Sequence, residues 1–110
     1  MTLEDLRAWG VTVEEGLHRC LDNEGFYLQL VDKMRQDAGF DALSAALEAH
    51  NWADAFETSH RLKGGLGNLA LTPLYDPMSE LCELLRPKEP VEYQPLAAVV
   101  DERLAELRAM

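Results

Sequence analysis

The apolar residues between Asn51 and Pro73 repeat with the period of an α-helix, and this stretch limits the fold more than any other part of the sequence. At about 100° per residue, one group of side chains lies within about 40° of a common direction. The group comprises Ala55, Thr58, Leu62, Leu66 and Leu69. We therefore expect one side of this helix to face a hydrophobic core and the other side to face solvent.

His60 lies on the opposite side of the predicted helix, almost directly away from the apolar group. Glu57 precedes it by one turn, Lys63 and Gly64 follow it by one turn, and Gly67 follows it by two. Residues three and four apart on a helix are neighbours on one face. The imidazole of His60 is therefore expected to stand in solvent, beside an ammonium group and two positions without a side chain.

Three glycines, at positions 64, 65 and 67, are unusual inside a helix. Each one lowers helix stability by about 1 kcal/mol relative to alanine. One interpretation is that the helix ends near Lys63 and that Gly64 is its left-handed cap. The other is that the helix continues, as the phase of the following leucines favours. In that case Gly64 and Gly67 let another protein's active site approach His60 closely.

The residue types around His60 suit phosphoryl transfer. At neutral pH a solvent-facing histidine is largely unprotonated, so one ring nitrogen is a free nucleophile. Lys63 can supply positive charge to the oxygens of a transferring phosphoryl group or of the resulting phosphohistidine. A lysine does this without the bidentate geometry of an arginine. We therefore interpret His60 as a phosphoryl acceptor.

Residues 59–64, Ser-His-Arg-Leu-Lys-Gly, followed by Asn68 and a leucine, resemble the motif of the histidine-containing phosphotransfer (HPt) domain of two-component phosphorelays. The resemblance implies that His60 is the phosphorylated residue and that Lys63 stabilises the phosphoryl group. Gly64, Gly67 and Asn68 also match the motif, and we expect them to contribute to partner binding. Residues 10–17 and 26–30 resemble the N-terminal portion of the same family.

The resemblance implies that the chain is a phosphorelay intermediate. It would accept a phosphoryl group on His60 from the phospho-aspartate of a receiver domain and pass it to another receiver's aspartate. Its partners would be receiver domains of response regulators or hybrid histidine kinases, and the receiver would supply the Mg²⁺. The chain itself would need no cofactor and would have no autokinase or phosphatase activity.

Two further residues beside His60 are candidate partner-binding residues. Phe56 lies within about 40° of His60 on the helical wheel, and is either a docking aromatic or packs on a neighbouring helix. Glu57 is a candidate for a hydrogen bond to one ring nitrogen, which would orient the other nitrogen for attack. The family often has glycine where this chain has Ala70, a difference that concerns the path of the chain after the helix.

Two alternatives use the same residues differently. The pairs Glu15 with His18 and Glu57 with His60 have the Glu-x-x-His spacing of a di-metal site in a helical bundle. Such a site needs inward-pointing ligands, whereas His60 is expected to point outward, so we predict no metal site. The other alternative is a helical adaptor that binds partners without being phosphorylated. A nucleotide-binding loop is not expected, because the glycine cluster lacks the Gly-x-x-x-x-Gly-Lys order.

Length and composition limit the remaining possibilities. A chain of 110 residues suffices for one core, so we expect a single domain over residues 1–110. A formal net charge of -10 would repel a nucleic-acid backbone. No apolar run reaches the roughly 18 residues of a membrane span, and no signal peptide is recognisable. We expect a cytoplasmic monomer that binds neither nucleic acid nor membrane, with Cys20 and Cys82 reduced.

Caps and apolar repeats divide the rest of the chain into helices. Thr2 and Gly10 are expected to cap the first one, and a Thr12–Glu15 capping box is expected to open the second, with Leu21 facing inward. Besides the His60 helix, the predicted helices cover residues 3–9, 12–21, 23–39, 40–50, 72–85 (or 76–85) and about 92–107. Short connections favour an antiparallel up-and-down four-helix bundle with additional short N-terminal helices.

Overall fold

The computed structural model describes residues 1–110 and contains seven α-helices and no strand. In chain order, the helices are α1 (Leu3–Trp9), α2 (Val13–Arg19), α3 (Glu24–Arg35), α4 (Gly39–Glu48), α5 (Trp52–Asn68), α6 (Thr72–Leu85) and α7 (Gln94–Arg108). The all-α class predicted from the sequence is confirmed. None of these helices is both long enough and apolar enough to cross a membrane.

Helix α5 occupies a central place in the packing. It contacts α4 and α6, α6 contacts α7, and α7 contacts α3. The predicted apolar side of α5 faces the core, where Ala55, Leu62 and Leu66 are fully buried. Thr58 is only half-buried, and Ser59 is buried in the core instead. The Ser59 hydroxyl tolerates burial because it donates a hydrogen bond to the Phe56 carbonyl at 2.8 Å.

Helix α5 continues through all three of its glycines and ends at Asn68. The interpretation in which Gly64 caps the helix near Lys63 is therefore wrong. Tertiary packing offsets the low helix propensity of the segment, because Leu66 is fully buried and Leu69 is 7% exposed. The chain leaves the helix with Ala70 in the left-handed conformation, at a φ of 57°.

The caps of the N-terminal helices agree only in part with the sequence-based expectations. Thr2 forms a capping box with Asp5, and Gly10 ends α1 in the left-handed region at a φ of 111°, as predicted. Thr12 precedes α2, but its side chain makes no capping hydrogen bond. The predicted Thr12–Glu15 capping box is therefore wrong, although the helix begins at the expected position.

Leu21 does not face the core, in contrast to the prediction. Helix α2 ends at Arg19, and the amide of Asp22 then donates a hydrogen bond to the Leu17 carbonyl at 2.8 Å. Leu21 and Asp22 both take a φ of 56° in this turn. The left-handed turn breaks the helical phase, and the Leu21 side chain is 90% exposed.

Helix α3 begins and ends with side-chain contacts to the backbone. Asn23 caps its start by accepting a hydrogen bond from the Phe26 amide at 3.0 Å, at the predicted start of the helix. The helix ends at Arg35, earlier than predicted. Beyond it, Asp37 accepts a hydrogen bond from the Gly39 amide at 2.7 Å, which favours a turn over continued helix.

The later helices begin within about two residues of the predicted positions, and α7 begins at Gln94 rather than at residue 92. Helix α6 begins at Thr72, so the alternative start at Asp76 is wrong, and Pro77 is accommodated within the helix. Both cysteines, Cys20 and Cys82, are buried free thiols, as predicted.

Tyr27 links α3 to the end of α5. Its hydroxyl donates a hydrogen bond to the Leu69 carbonyl at 2.8 Å, and the side chain is fully buried. Burial raises the pKa of Tyr27 to about 12, so the phenol keeps the proton that it donates. Gly16 makes room for this ring, because a Cβ there would lie 2.4 Å from Tyr27 Cε1.

Replacing Tyr27 by phenylalanine is expected to lower the free energy of unfolding by about 1–2 kcal/mol, because the buried Leu69 carbonyl loses its donor. Urea unfolding followed by circular dichroism measures the change. Tyr93→Phe is the matched control, since the Tyr93 ring packs edge-on against Trp52 and its hydroxyl makes no hydrogen bond to the protein. A Tyr27→Phe variant as stable as Tyr93→Phe would contradict the role given to this hydroxyl.

Candidate functional site

His60 lies on the exposed side of α5, as predicted. It lines an open depression with a volume of about 310 Å³. The other lining residues are Arg19, Lys63, Gly64, Gly67, Asn68 and Tyr75. The depression therefore combines a nucleophilic imidazole, two cationic side chains and exposed helical backbone.

The two glycines beside His60 have different surroundings. Gly64 is exposed, and a Cβ at this position would have no heavy atom within 4 Å. A Cβ at Gly67 would instead lie 3.1 Å from Cε2 of Tyr75 on α6. Gly64 thus leaves the surface beside His60 open, whereas the missing side chain of Gly67 allows α5 and α6 to pack closely. The space around Gly64 is compatible with the predicted approach of a partner, which stays a prediction, whereas at Gly67 the contact with Tyr75 gives a separate reason for glycine.

The third glycine of the cluster faces α3. A Cβ at Gly65 would lie 2.9 Å from the sulfur of Met34. Two of the three glycines in α5 are therefore explained by contacts between helices, and only Gly64 is left without a neighbour that requires its small size.

Lys63 projects from α5 toward α6. Its side chain is 24% exposed, and Nζ lies 3.9 Å from Oε1 of Glu83. Glu83 also accepts two hydrogen bonds from Arg86, at 3.0 Å and 2.8 Å. The pKa of Glu83 lies below its ordinary value, mainly because of Arg86 and with smaller contributions from Lys63 and His60. A carboxylate thus stays charged beside the site.

Phe56 is half-buried next to His60. The two rings are stacked, with their centroids 5.8 Å apart and an angle of 27° between their planes. Two cations also lie over the phenyl ring, with Arg86 Cζ at 5.1 Å and Lys88 Nζ at 5.3 Å from its centroid. Phe56 therefore both supports the imidazole and contacts the segment that follows α6.

Glu57 and Asn68 are exposed on the same helix as His60. The Glu57 carboxylate makes no hydrogen bond to His60, and its Oε1 lies 4.0 Å from Lys88 Nζ. Its predicted role of orienting the ring is therefore not seen in this arrangement. Asn68 is the last residue of α5 and lines the depression, and its predicted role in partner binding stays a prediction.

Arg19 was not identified from the sequence. It lies at the end of α2, and its Nη1 donates to the Gly67 carbonyl at 2.7 Å and to the Asn68 carbonyl at 3.5 Å. These carbonyls belong to the last turn of α5, where a cation is favoured. No local pattern signals the contact, because Arg19 precedes Gly67 by 48 positions in the chain.

The residues of the di-metal alternative are distributed over two helices. Glu15 and His18 are exposed on α2, and Glu57 and His60 are exposed on α5. The structure contains no group of three or more His, Cys, Asp or Glu side chains placed to hold a metal ion. The arrangement around His60 instead pairs a nucleophile with cations, which suits an anionic group.

Comparison with protein-family models matches residues 27–110 to a model described as Hpt domain. The matched range includes α3 to α7 and therefore His60, Lys63 and Glu83, whereas Arg19 precedes it. Comparison with curated proteins and with solved structures gives no match.

Proposed function

Because this chain belongs to the Hpt domain family, we propose that it is a phosphorelay intermediate that carries a phosphoryl group on His60. The family acts in phosphotransfer of two-component signalling, and its members are phosphocarriers rather than enzymes. One observation supports His60 most strongly as the carrier. Its imidazole is exposed beside Gly64, where the surface is open, and Lys63, one helical turn along α5, lines the same depression.

In the proposed reaction, a ring nitrogen of His60 attacks the phosphorus of a receiver's phospho-aspartate. A phosphorus–nitrogen bond forms and the phosphorus–oxygen bond breaks, so the aspartate leaves as a free carboxylate. The imidazole uses its lone pair and keeps the proton on its other nitrogen, which balances the charge. Transfer to another receiver is the same step in reverse, with that receiver's aspartate as the nucleophile.

The proposal assigns the neighbouring residues distinct roles. Lys63 supplies positive charge to the phosphoryl oxygens. Gly64 leaves room for the receiver's active site, while Phe56, Glu57, Gly67 and Asn68 belong to the contact surface. The receivers, from response regulators or hybrid histidine kinases, supply the Mg²⁺. The domain has no autokinase or phosphatase activity in this proposal, and it works as a cytoplasmic monomer.

We also propose that residues 1–110 form one domain with an antiparallel, up-and-down arrangement of four main helices. The packing of α4 on α5, α5 on α6, and α6 on α7 supports this arrangement, because neighbours in sequence are neighbours in space. The connections between α4, α5 and α6 have only three residues each, which favours antiparallel neighbours.

Incubation with a panel of receiver domains carrying labelled phospho-aspartate tests the proposed function. We expect label to move from at least one receiver to the chain, and the transferred label to be lost in acid, since phosphohistidine is acid-labile. A receiver that binds the chain without transferring label would instead favour the helical adaptor.

Replacing Lys63 by alanine is expected to slow transfer from a phosphorylated receiver by about tenfold to 100-fold, because the transferring group loses a nearby positive charge. Rapid-quench measurement of labelled chain gives the rate. Stability should fall by no more than about 1 kcal/mol, since the Lys63–Glu83 pair is partly exposed. Lys33→Ala is the control, because Lys33 is an exposed lysine on α3. Equal rates in the two variants would contradict the role of Lys63.

A further inference from the structure

The side chains around His60 form a continuous series of contacts that joins α5 to α6. His60 stacks on Phe56, Arg86 lies over Phe56, and Arg86 donates two hydrogen bonds to Glu83. Glu83 then lies 3.9 Å from Lys63, which is one turn along α5 from His60. The series therefore begins and ends beside the proposed phosphoryl acceptor, and Glu83 is its only acidic member.

From this arrangement we infer that Glu83 is a positioning residue, which competes with the phosphoryl group of His60 for Lys63 and thereby keeps that group easy to transfer. The inference rests on the proposed function of His60. In this inference, Glu83 influences how strongly the domain retains its phosphoryl group, although it lies on α6 and outside the motif of α5.

The competition follows from the charges at the site. In the unphosphorylated chain, the ammonium group of Lys63 forms an ion pair with the carboxylate of Glu83 at 3.9 Å. A phosphoryl group on His60 would add a second anion with three acceptor oxygens, and the two anions would then share the one ammonium group of Lys63. Any weakening of the contact between Lys63 and Glu83 on phosphorylation would be subtracted from the stability of the phosphohistidine.

Arg86 keeps Glu83 in place while Lys63 changes partner. Its guanidinium holds the carboxylate through two hydrogen bonds and is itself positioned over the Phe56 ring. Because Glu83 remains charged and anchored, it also repels the negative charge that arrives on His60. Both effects act in the same direction and disfavour retention of the phosphoryl group.

The test is the position of the equilibrium between phosphorylated chain and phosphorylated receiver. We expect Glu83→Gln to shift the ratio of phosphohistidine to phospho-aspartate toward phosphohistidine by about twofold to fivefold, the range of one partly exposed charge pair. Glu80→Gln is the matched control: it removes the same charge from α6, but Glu80 lines a separate depression with Trp9 and Asp76. Equal ratios for the two variants would overturn the inference.

The same measurement in a Lys63→Met background separates positioning from a general change of charge. We expect Glu83→Gln to change the ratio less in this background than in the wild-type background, because only the direct repulsion by Glu83 remains when Lys63 is absent. An undiminished effect in that background would overturn the role assigned to Lys63 and with it the inference. Circular dichroism of each variant verifies the fold.

The outcomes for Glu83 and for the proposed function can be told apart. If the wild-type chain takes no label from any phosphorylated receiver, the proposed function fails. If the wild-type chain is labelled and Glu83→Gln has the wild-type equilibrium, the proposed function stands and only the inference about Glu83 is wrong.

Discussion

Replacing His60 by glutamine is expected to abolish acceptance of a phosphoryl group and to leave the free energy of unfolding within about 0.5 kcal/mol of the wild-type value. Glutamine has no nucleophilic ring nitrogen, so the phosphorus–nitrogen bond cannot form. The stability is retained because His60 is exposed and makes no hydrogen bond to the rest of the protein, its main contact being the stacked ring of Phe56. Labelling by a phosphorylated receiver and urea unfolding measure the two quantities.

His18→Gln is the matched control for this experiment. His18 is also exposed and also lies on a helix, α2, but it lines a different depression. We expect this variant to accept the phosphoryl group at the wild-type rate. Label on the His60→Gln variant, or its loss in His18→Gln, would show that another residue is the acceptor.

Replacing Gly64 by leucine should have the second-largest effect on the rate of phosphoryl transfer. The substitution tests docking of the receiver separately from the chemistry at His60. The new side chain would project beside His60 from an exposed position, where a Cβ would meet no heavy atom of another part of the protein within 4 Å. We expect transfer from a phosphorylated receiver to fall by about 100-fold, since a displacement of the reacting groups by about 1 Å is enough for such a loss. The helix itself should become more stable by about 0.5–1 kcal/mol.

A small phosphoryl donor, phosphoramidate, provides the control for Gly64→Leu. It reaches the imidazole without the bulk of a receiver, so we expect it to label the variant at nearly the wild-type rate. Gly67→Ala is a contrasting position, because its Cβ would press on Tyr75 and this contact should offset at least part of the gain in helix propensity. Normal transfer from a receiver to Gly64→Leu would refute the view that bare backbone is needed for close approach.

The parts of the fold that were predictable depend on local patterns. The apolar repeat of α5 indicated both its buried face and the outward direction of His60, and the Thr2 and Gly10 caps delimited α1. Leu21 was misplaced because a left-handed turn after Arg19 interrupts the helical phase. Nothing in the apolar spacing distinguishes that turn from one more turn of helix.

The parts of the site that the sequence did not reveal are contacts between helices. Arg19 reaches the end of α5 from α2, and Glu83 meets Lys63 from α6. From the sequence, Gly67 was expected to leave room for a partner, but the structure places Tyr75 of α6 next to it. Such pairs are set by how the helices are packed, and a helical wheel of α5 alone contains no information about them.

Locating the phosphoryl group within the chain tests the central claim most directly. After transfer from a receiver, digestion at neutral pH and tandem mass spectrometry should place the group on His60, and brief acid treatment should remove it. A phosphoryl group found on any other residue, or one that survives acid, would contradict the account.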